Sequence, residues 1–186
     1  MRNWPLGVMI AAVISMSAWA GTGTDFADDF STGKWSDWKA EGALVTFVHN
    51  QQLGNNAPGS LEIAVGPDNP LNAACCFLRH FAIKPGQTYT ALVYVRAKDM
   101  APDSEIALGF QCQDEEKHFL GTGVQSTVLK GEQVPGDGWK RMVLSVKILE
   151  TGKWEKAAQL LCTLGVSNAA SGQAFFDDFE FFQATE

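Results

Sequence analysis

Residues 83–97, which read IKPGQTYTALVYVRA, place a tight turn directly before a long β-strand. Pro85 restricts its own φ and Gly86 tolerates a positive φ, so the pair predicts a reversal of the chain. From Thr88 onward, successive side chains of a strand point to opposite faces. One face carries Tyr89, Ala91, Val93 and Val95, and the other carries Leu92 and Tyr94. A strand that is apolar on both faces is predicted to lie inside a sheet.

Seven further short runs on either side of this stretch show the same alternation or the same enrichment in β-branched and aromatic residues. Most of them end at Gly, Pro, Asn or Asp, which favour turns. Beyond residue 20, no segment of helical period exceeds about ten residues. The pattern predicts an all-β protein, an antiparallel β-sandwich (jelly roll) of about eight to ten strands. The eight predicted strands are 44–49, 60–65, 74–83, 88–97, 105–113, 139–148, 159–166 and 174–182.

The N-terminus has the three parts of an export signal. Arg2 supplies a positive charge, residues 6–17 are almost wholly apolar, and Ala18-Trp19-Ala20 form a small-x-small cleavage site. We expect a signal peptide over residues 1–20, a single sandwich domain over residues 21–186, and a secreted or periplasmic location. The alternative is an uncleaved anchor, although a membrane span takes about 20 apolar residues.

The charge balance excludes two classes of partner. The chain has 14 basic and 21 acidic residues, a formal net charge of −7. Removal of Arg2 with the leader makes the mature protein one unit more negative. Such a surface repels nucleic acid and anionic lipid, so we expect neither nucleic-acid binding nor membrane insertion. Neutral glycans remain compatible with it.

Four cysteines, an even number, suggest disulfides in an exported protein. Cys75 and Cys76 are adjacent, so they point to opposite faces of a strand and are unsuited to bonding each other. Cys112 and Cys162 face the apolar side of their strands. If the two strands are neighbours, Cys112–Cys162 is the leading pair. No CxxC spacing supports a metal site.

Several motifs follow one another along the chain in a recognisable order. They are Asp28-Asp29-Phe30-Ser31, Trp38, Gly59-Ser60-Leu61-Glu62-Ile63, Ile83-Lys84-Pro85-Gly86-Gln87-Thr88-Tyr89, Val93-Tyr94-Val95-Arg96, Gly138-Trp139-Lys140-Arg141 and Phe176-Asp177-Asp178-Phe179-Glu180-Phe181. In this order they resemble the carbohydrate-binding modules of the galactose-binding-like β-jelly-roll superfamily. The resemblance implies a secreted, non-catalytic protein that binds a polysaccharide or oligosaccharide, most simply a neutral glycan. The alternatives are a structural or adhesion sandwich that binds an envelope protein, and a polysaccharide-degrading enzyme.

Tryptophan side chains are the first candidates for sugar contact, because sugar rings stack on aromatic faces. Trp35 and Trp154 lie in polar stretches, so both are predicted to be exposed stacking surfaces. Each of them is equally compatible with an ordinary loop residue held against the surface. The resemblance implies that Trp38 and Trp139 pack the core.

Two polar residues are candidate sugar contacts. The resemblance implies that Arg79 lies on a concave, ligand-lining surface, where its guanidinium would bind sugar hydroxyls. A structural ion pair is the alternative for Arg79. Gln111 is the second candidate, because an amide both donates to and accepts from hydroxyls.

Carboxylates near both ends of the chain suggest a structural calcium ion, which prefers six to eight oxygen ligands. The resemblance implies a site that uses Asp177 together with groups near the N-terminus, for which Asp29 is the candidate. The sequence departs from the pattern at Ser31, where a Glu is common. The alternative is that these carboxylates are solvated or cap turns.

The chain shows no catalytic motif, and we expect it not to be an enzyme. It has no Gly-x-Ser-x-Gly, no phosphate-binding loop and no metal-ligating pair of histidines. Arg79 and His80 are adjacent in a predicted strand, so they point to opposite faces and are unsuited to lining one site together.

Overall fold

The computed structural model describes residues 26–31 and 35–184. The signal peptide predicted over residues 1–20 lies outside the described residues. Eleven strands form two antiparallel sheets, which confirms the predicted β-sandwich. The strands are β1 (Phe26–Asp28), β2 (Ser36–Lys39), β3 (Val45–Asn50), β4 (Ser60–Val65), β5 (Cys75–Ala82), β6 (Thr88–Lys98), β7 (Glu105–Gln113), β8 (Gln125–Lys130), β9 (Lys140–Lys147), β10 (Gln159–Ser167) and β11 (Gly172–Ala184).

In both sheets, strands that are distant in sequence lie next to each other. One sheet has the order β3-β4-β11-β6-β9, and β1 pairs with β11 beside this path. The other sheet has the order β2-β5-β10-β7-β8. All eight predicted strands are present. Three strands escaped prediction (β1, β2 and β8), and each is a short strand of six residues or fewer.

The turn before β6 forms as the sequence predicts. Gly86 has φ +83°, and its backbone N–H donates to the Ile148 carbonyl at 2.8 Å. The Tyr89 hydroxyl accepts from the Lys84 backbone N–H at 2.9 Å, which ties the turn to the strand that follows. β6 then runs between β11 and β9, so its predicted interior position is confirmed.

The core between the sheets is rich in aromatic rings. Phe181 stacks on Phe81 with the ring centroids 4.2 Å apart and on Tyr89 at 5.6 Å. Phe179 extends the series, 5.8 Å from Phe81. These rings come from both sheets, so their contacts hold the two layers together, at about 0.5–1.5 kcal/mol per pair beyond the area they bury.

Helical structure in the described residues is limited to two 3₁₀ turns, Gly131–Gln133 and Gly152–Lys156. The second lies within residues 150–156, where the sequence allows one helical turn. Within residues 26–31 and 35–184, no helix is long and apolar enough to cross a membrane.

The predicted Cys112–Cys162 disulfide is wrong, although both residues face the core on neighbouring strands. Cys112 is paired with Leu160 in the β7–β10 register, and Cys162 is paired with Phe110. The two cysteines are therefore diagonal neighbours, a relation that places Cα atoms about 7–8 Å apart, beyond ordinary disulfide geometry. Both sulfurs are free thiols, as are those of the other two cysteines.

Candidate functional site

A groove of about 540 Å³ crosses the outer face of the sheet that contains β2, β5, β10, β7 and β8. Cys76 and Leu78 on β5, and Leu161, Thr163 and Gly165 on β10, alternate along their strands with residues that face the core. The groove is lined by Trp38, Ala74, Cys75, Cys76, Leu78, Ala107, Gln111, Phe119, Leu161, Thr163, Gly165, Val166 and Ser167.

The floor of the groove has a depression at Gly165, which lies in the middle of the sheet. Gly165 on β10 is paired with Cys76 on β5 and with Ala107 on β7. A Cβ atom at position 165 would lie 2.9 Å from the Cys75 carbonyl oxygen and 3.1 Å from the Cys76 Cβ. A side chain at this position would therefore both strain the sheet and fill the depression.

Two exposed aromatic side chains line the groove. Trp38 extends from the edge strand β2 with 51% of its surface exposed, and Phe119 has 61% exposed. Exposed apolar side chains gathered along one groove are typical of a binding site, whereas the same side chains scattered singly are not. They supply the apolar faces on which a planar or ring-shaped ligand stacks.

The backbone around Phe119 is held by a compact loop at the end of β7. The Asp114 carboxylate accepts hydrogen bonds from the backbone N–H groups of Glu116 and His118, at 3.0 and 2.8 Å. These bonds stabilise the ionised carboxylate and lower the pKa of Asp114. The Leu120 N–H donates to the Cys112 carbonyl at 3.1 Å. The loop thus fixes the backbone on both sides of Phe119.

The groove is electrically neutral. None of the described residues that line it carries a charge at neutral pH. Among the described lining residues, the titratable groups are the thiol of Cys75, which faces the core, and the thiol of Cys76, and burial raises the pKa of each to about 11. Both thiols stay protonated, so the groove suits an uncharged ligand.

Gln111 is the one predicted sugar contact that the structure places in the groove. Its amide and the Thr163 hydroxyl are the principal hydrogen-bonding side chains of the floor. Ser167 also lines the groove, but its hydroxyl donates to the Glu105 carboxylate at 2.9 Å. The groove therefore offers more apolar surface for stacking than side chains for hydrogen bonding.

The predictions for Trp35 and Trp38 are both wrong. Trp35 is only 6% exposed, and its ring lies 4.9 Å from Phe179 and 5.7 Å from Phe30. Its indole N–H donates to Asp28 at 3.3 Å. Trp38 is exposed because its side chain projects from the outer face of an edge strand. Polar sequence neighbours do not distinguish these two environments.

Arg79 is also misplaced by the prediction, and its alternative, an ion pair, is what the structure shows. Arg79 belongs to the core-facing side of β5, beside Phe77 and Phe81. Its guanidinium lies 3.3 Å from the Asp28 carboxylate and 4.0 Å from the centroid of the Phe26 ring. The side chain is thus used within the fold and does not line the groove.

Trp154 lies in the 3₁₀ turn before β10 and is half-buried. It packs against the hydrophobic core, and its ring atom Cζ3 would lie 3.1 Å from a Cβ at position 123. The prediction of an exposed stacking surface is therefore wrong for this residue. Trp139, which was expected in the core, is also half-buried.

Phe119 was missed by the sequence reasoning. It follows the polar stretch Asp114-Glu115-Glu116-Lys117-His118, which predicts a turn. A lone aromatic residue after such a stretch was the available signal, because little in a turn covers a large apolar side chain. Its place beside the groove depends on an isolated bridge to Gln113, which the sequence does not show.

The two residues predicted to bind calcium do come close to each other. Asp177 is 1% exposed, and its carboxylate accepts hydrogen bonds from the backbone N–H groups of Asn55 and Asp178. Burial, together with the negative charges of Asp178 and Asp29, raises the pKa of Asp177 to about 6, against the lowering effect of the two hydrogen bonds. The Asp29 carboxylate is exposed and accepts from the Ser31 N–H at 3.0 Å.

This cluster has the chemistry of a calcium site. Within the described part of the chain, Asp177 forms no ion pair that would balance its charge. Asp29 and Asp178 also line a neighbouring cavity of about 520 Å³. Carboxylate oxygens are the ligands that Ca²⁺ prefers, and a cation here would compensate a buried negative charge. The residue types therefore suit the ion, but among the described residues three potential ligand atoms come within 4.8 Å of one another only at Asp114, Glu116 and His118.

The solved structures most similar to this chain are mostly carbohydrate-binding modules with a β-sandwich fold. The xylan-binding domain CBM22-1 of Xyn10C from Paenibacillus barcinonensis has a TM-score of 0.56 at 14% identity, with 90% of this chain and 99% of that domain covered. A module described for its promiscuous specificity has a TM-score of 0.59 at 15% identity, with 86% and 61% covered.

An enzyme is also similar in structure. The enzymatically active domain of tailspike protein 4 from bacteriophage CBA120 has a TM-score of 0.61 at 13% identity. The alignment covers 81% of this chain but only 19% of the tailspike chain. No protein-family model matches the sequence, and no curated protein matches it. At these identities the similarity establishes the fold, which is the one that the sequence resemblance implies.

Proposed function

We propose that this protein is a secreted or periplasmic, non-catalytic carbohydrate-binding protein that holds a neutral glycan in the groove on its outer sheet. The observation that carries the proposal is the pair of exposed aromatic side chains, Trp38 and Phe119, on a groove without charged side chains. The fold shared with carbohydrate-binding modules supports it.

The groove suits binding rather than hydrolysis of a sugar chain. Hydrolysis of a glycosidic bond generally takes two carboxylates about 5–9.5 Å apart across the scissile bond. The described groove lining contains no carboxylate. Stacking on an aromatic ring is worth about 1–3 kcal/mol for a planar ligand, so two rings supply a large part of the roughly 4 kcal/mol that a millimolar Kd requires.

A glycan array on the purified protein tests the proposal. We expect binding to uncharged glycans, and we expect Trp38→Ala and Phe119→Ala each to weaken it at least tenfold. Leu71→Ala is the matched control, because Leu71 is equally exposed but lies outside the groove. A blank array from folded protein would overturn the proposal, and so would binding that both aromatic variants retain.

We also propose that the cluster of Asp177, Asp178 and Asp29 holds a structural calcium ion. The charge of the ion would compensate the buried Asp177 carboxylate and tie β11 to the segment that follows β1. Thermal unfolding with calcium and with a chelator tests this. We expect calcium to raise the melting temperature of the wild type and not that of Asp177→Asn. An unchanged melting temperature of the wild type would contradict it.

A further inference from the structure

Apolar and polar side chains face each other in pairs on the groove floor. Leu161 on β10 is directly paired with Gln111 on β7, and Thr163 on β10 is directly paired with Leu78 on β5. Directly opposed residues have Cβ atoms about 4.5–5.5 Å apart. Each leucine therefore lies close enough to a hydrogen-bonding side chain for one small functional group of a ligand to contact both.

This floor is poorly suited to a sugar that presents hydroxyl groups alone. A hydroxyl that leaves water needs a new hydrogen-bond partner, and the loss of one costs about 1–3 kcal/mol. Leu78, Leu161 and Ala107 offer none, and the Ser167 hydroxyl is already bonded to Glu105. Hydroxyls placed over these positions would lose their water without replacement.

An acetyl group has the chemistry that such a pair accommodates. Its methyl group gains from contact with a leucine, and its carbonyl oxygen accepts a hydrogen bond from an amide N–H or a hydroxyl. It is also uncharged, as the groove lining is. A carboxylate-bearing sugar would find no cation among the described lining residues, and the nearby Lys130 is already paired with Glu105.

We propose that the groove selects neutral glycans that carry acetyl groups, with the acetyl methyl on Leu161 or Leu78 and its carbonyl bonded to Gln111 or Thr163. The inference rests on the proposed function of the groove and specifies its ligand class. Trp38 and Phe119 stack on any sugar ring, whereas the leucine–polar pairs of the floor discriminate acetylated sugars from non-acetylated ones.

Isothermal titration with matched ligands tests the inference. Acetylated xylan and acetylated glucomannan are each compared with the same polymer after removal of its esters by alkali. Tetra-N-acetylchitotetraose is compared with cellotetraose, which separates amide-linked from ester-linked acetyl groups. We expect the acetylated member of at least one pair to bind about tenfold more tightly, from one buried methyl group and one hydrogen bond.

Two variants locate the preference. Gln111→Leu keeps the volume but removes the donor, and Leu78→Thr replaces a half-buried apolar side chain by a polar one that suits a strand. We expect at least one variant, the one that alters the pair holding the acetyl group, to reduce the tenfold preference to threefold or less, while the distant control Leu71→Ala retains it. Circular dichroism confirms that each variant is folded.

The outcomes separate the two proposals. Equal affinity for both members of every pair would overturn the acetyl preference and leave glycan binding in the groove intact. A preference that survives in both variants would place the acetyl group elsewhere and overturn the inference. No binding to any of the ligands, with none on the array, would overturn both proposals.

Discussion

Trp35 and Trp38 are three residues apart, yet they belong to two regions with opposite requirements. Trp35 lies in an interior corner where its ring packs on Phe30 and Phe179 and its N–H reaches Asp28. Trp38 lies on the outer groove, with half of its surface in water. In the interior corner, other side chains cover the Trp35 ring, whereas in the groove about half of the Trp38 surface is exposed to water. An exposed ring surface is what a stacking ligand requires.

Asp28 organises the interior corner. One carboxylate oxygen accepts from the indole of Trp35 and from the guanidinium of Arg79, both at 3.3 Å. The other oxygen accepts from the Phe30 backbone N–H at 2.9 Å. In the groove, by contrast, the principal polar side chains of the floor, Gln111 and Thr163, are available to a ligand. We therefore expect mutations in the interior corner to change stability and mutations in the groove to change ligand binding.

The largest expected effect is that of Trp35→Ala on stability. The substitution leaves a cavity beside two aromatic rings and removes one partner of Asp28, and we expect a loss of about 3–5 kcal/mol in the free energy of unfolding. Denaturant titration measures it. A loss of less than about 1 kcal/mol in the free energy of unfolding would contradict the structural role that we assign to Trp35.

Trp38→Ala is expected to act on binding and not on stability. The loss of a stacking surface weakens glycan affinity by about ten- to a hundredfold, or 1.4–2.7 kcal/mol. The free energy of unfolding should stay within about 0.5 kcal/mol of the wild type, because the side chain is exposed. Titration calorimetry and denaturant titration on the same preparation separate the two effects. A destabilised Trp38→Ala would indicate that this residue is structural.

Arg79→Met sharpens the comparison by removing a charge from the interior corner. The aliphatic stem is retained, but the ion pair with Asp28 and the contact with the Phe26 ring are lost. We expect a loss of about 1 kcal/mol in stability, since this ion pair is partly open to solvent. Glycan affinity should be unchanged. A selective loss of affinity would restore Arg79 as a ligand contact.

An effect of similar size is expected from pH, in the presence of a chelator. The pKa of Asp177 is raised to about 6 in the fold, so its contribution to stability is present at low pH and is lost as the pH rises through 6. We expect the free energy of unfolding to fall by about 1–2 kcal/mol between pH 5 and pH 7 on this account. Asp177→Asn should lack this change.

Comparison with Asp177→Asn isolates this group from others that titrate nearby. The pKa of His80 is lowered by burial and by the charge of Lys117, which gives a trend of the opposite sign in the same pH range. The pKa of Asp29 is lowered by hydrogen bonds to Ser31, and its contribution is lost only at lower pH. Identical pH profiles for wild type and variant would contradict the assignment.

Much of the fold was predictable because its signals are local. Alternation in β6, β7 and β10 identified both the strands and the faces that are buried. The turn at Lys84-Pro85-Gly86 follows from residue chemistry alone. The strands that escaped prediction, β1, β2 and β8, are short and are held by pairing with longer strands rather than by their own pattern.

The candidate site was less predictable, and particular residues show why. Gln111 was identified because an amide on the outward face of a strand is visible in the alternation. Trp35 and Trp154 were assigned to a ligand because charged or polar sequence neighbours suggest exposure, and Arg79 because the family resemblance implies a ligand-lining position. Their actual partners lie far along the chain, as with Arg79 and Asp28 or Trp35 and Phe179.

The sequence by itself therefore determined the all-β class, the long strands and their buried faces, and the negative charge of the chain. These properties follow from the side-chain period of a strand, from turn chemistry and from counting charges. Only the tertiary structure decided which aromatic rings are exposed, that Cys112 and Cys162 are offset in register, and that a neutral groove crosses the outer sheet. Those properties depend on which strands become neighbours and in what register, and both are set by packing between segments that are distant in sequence.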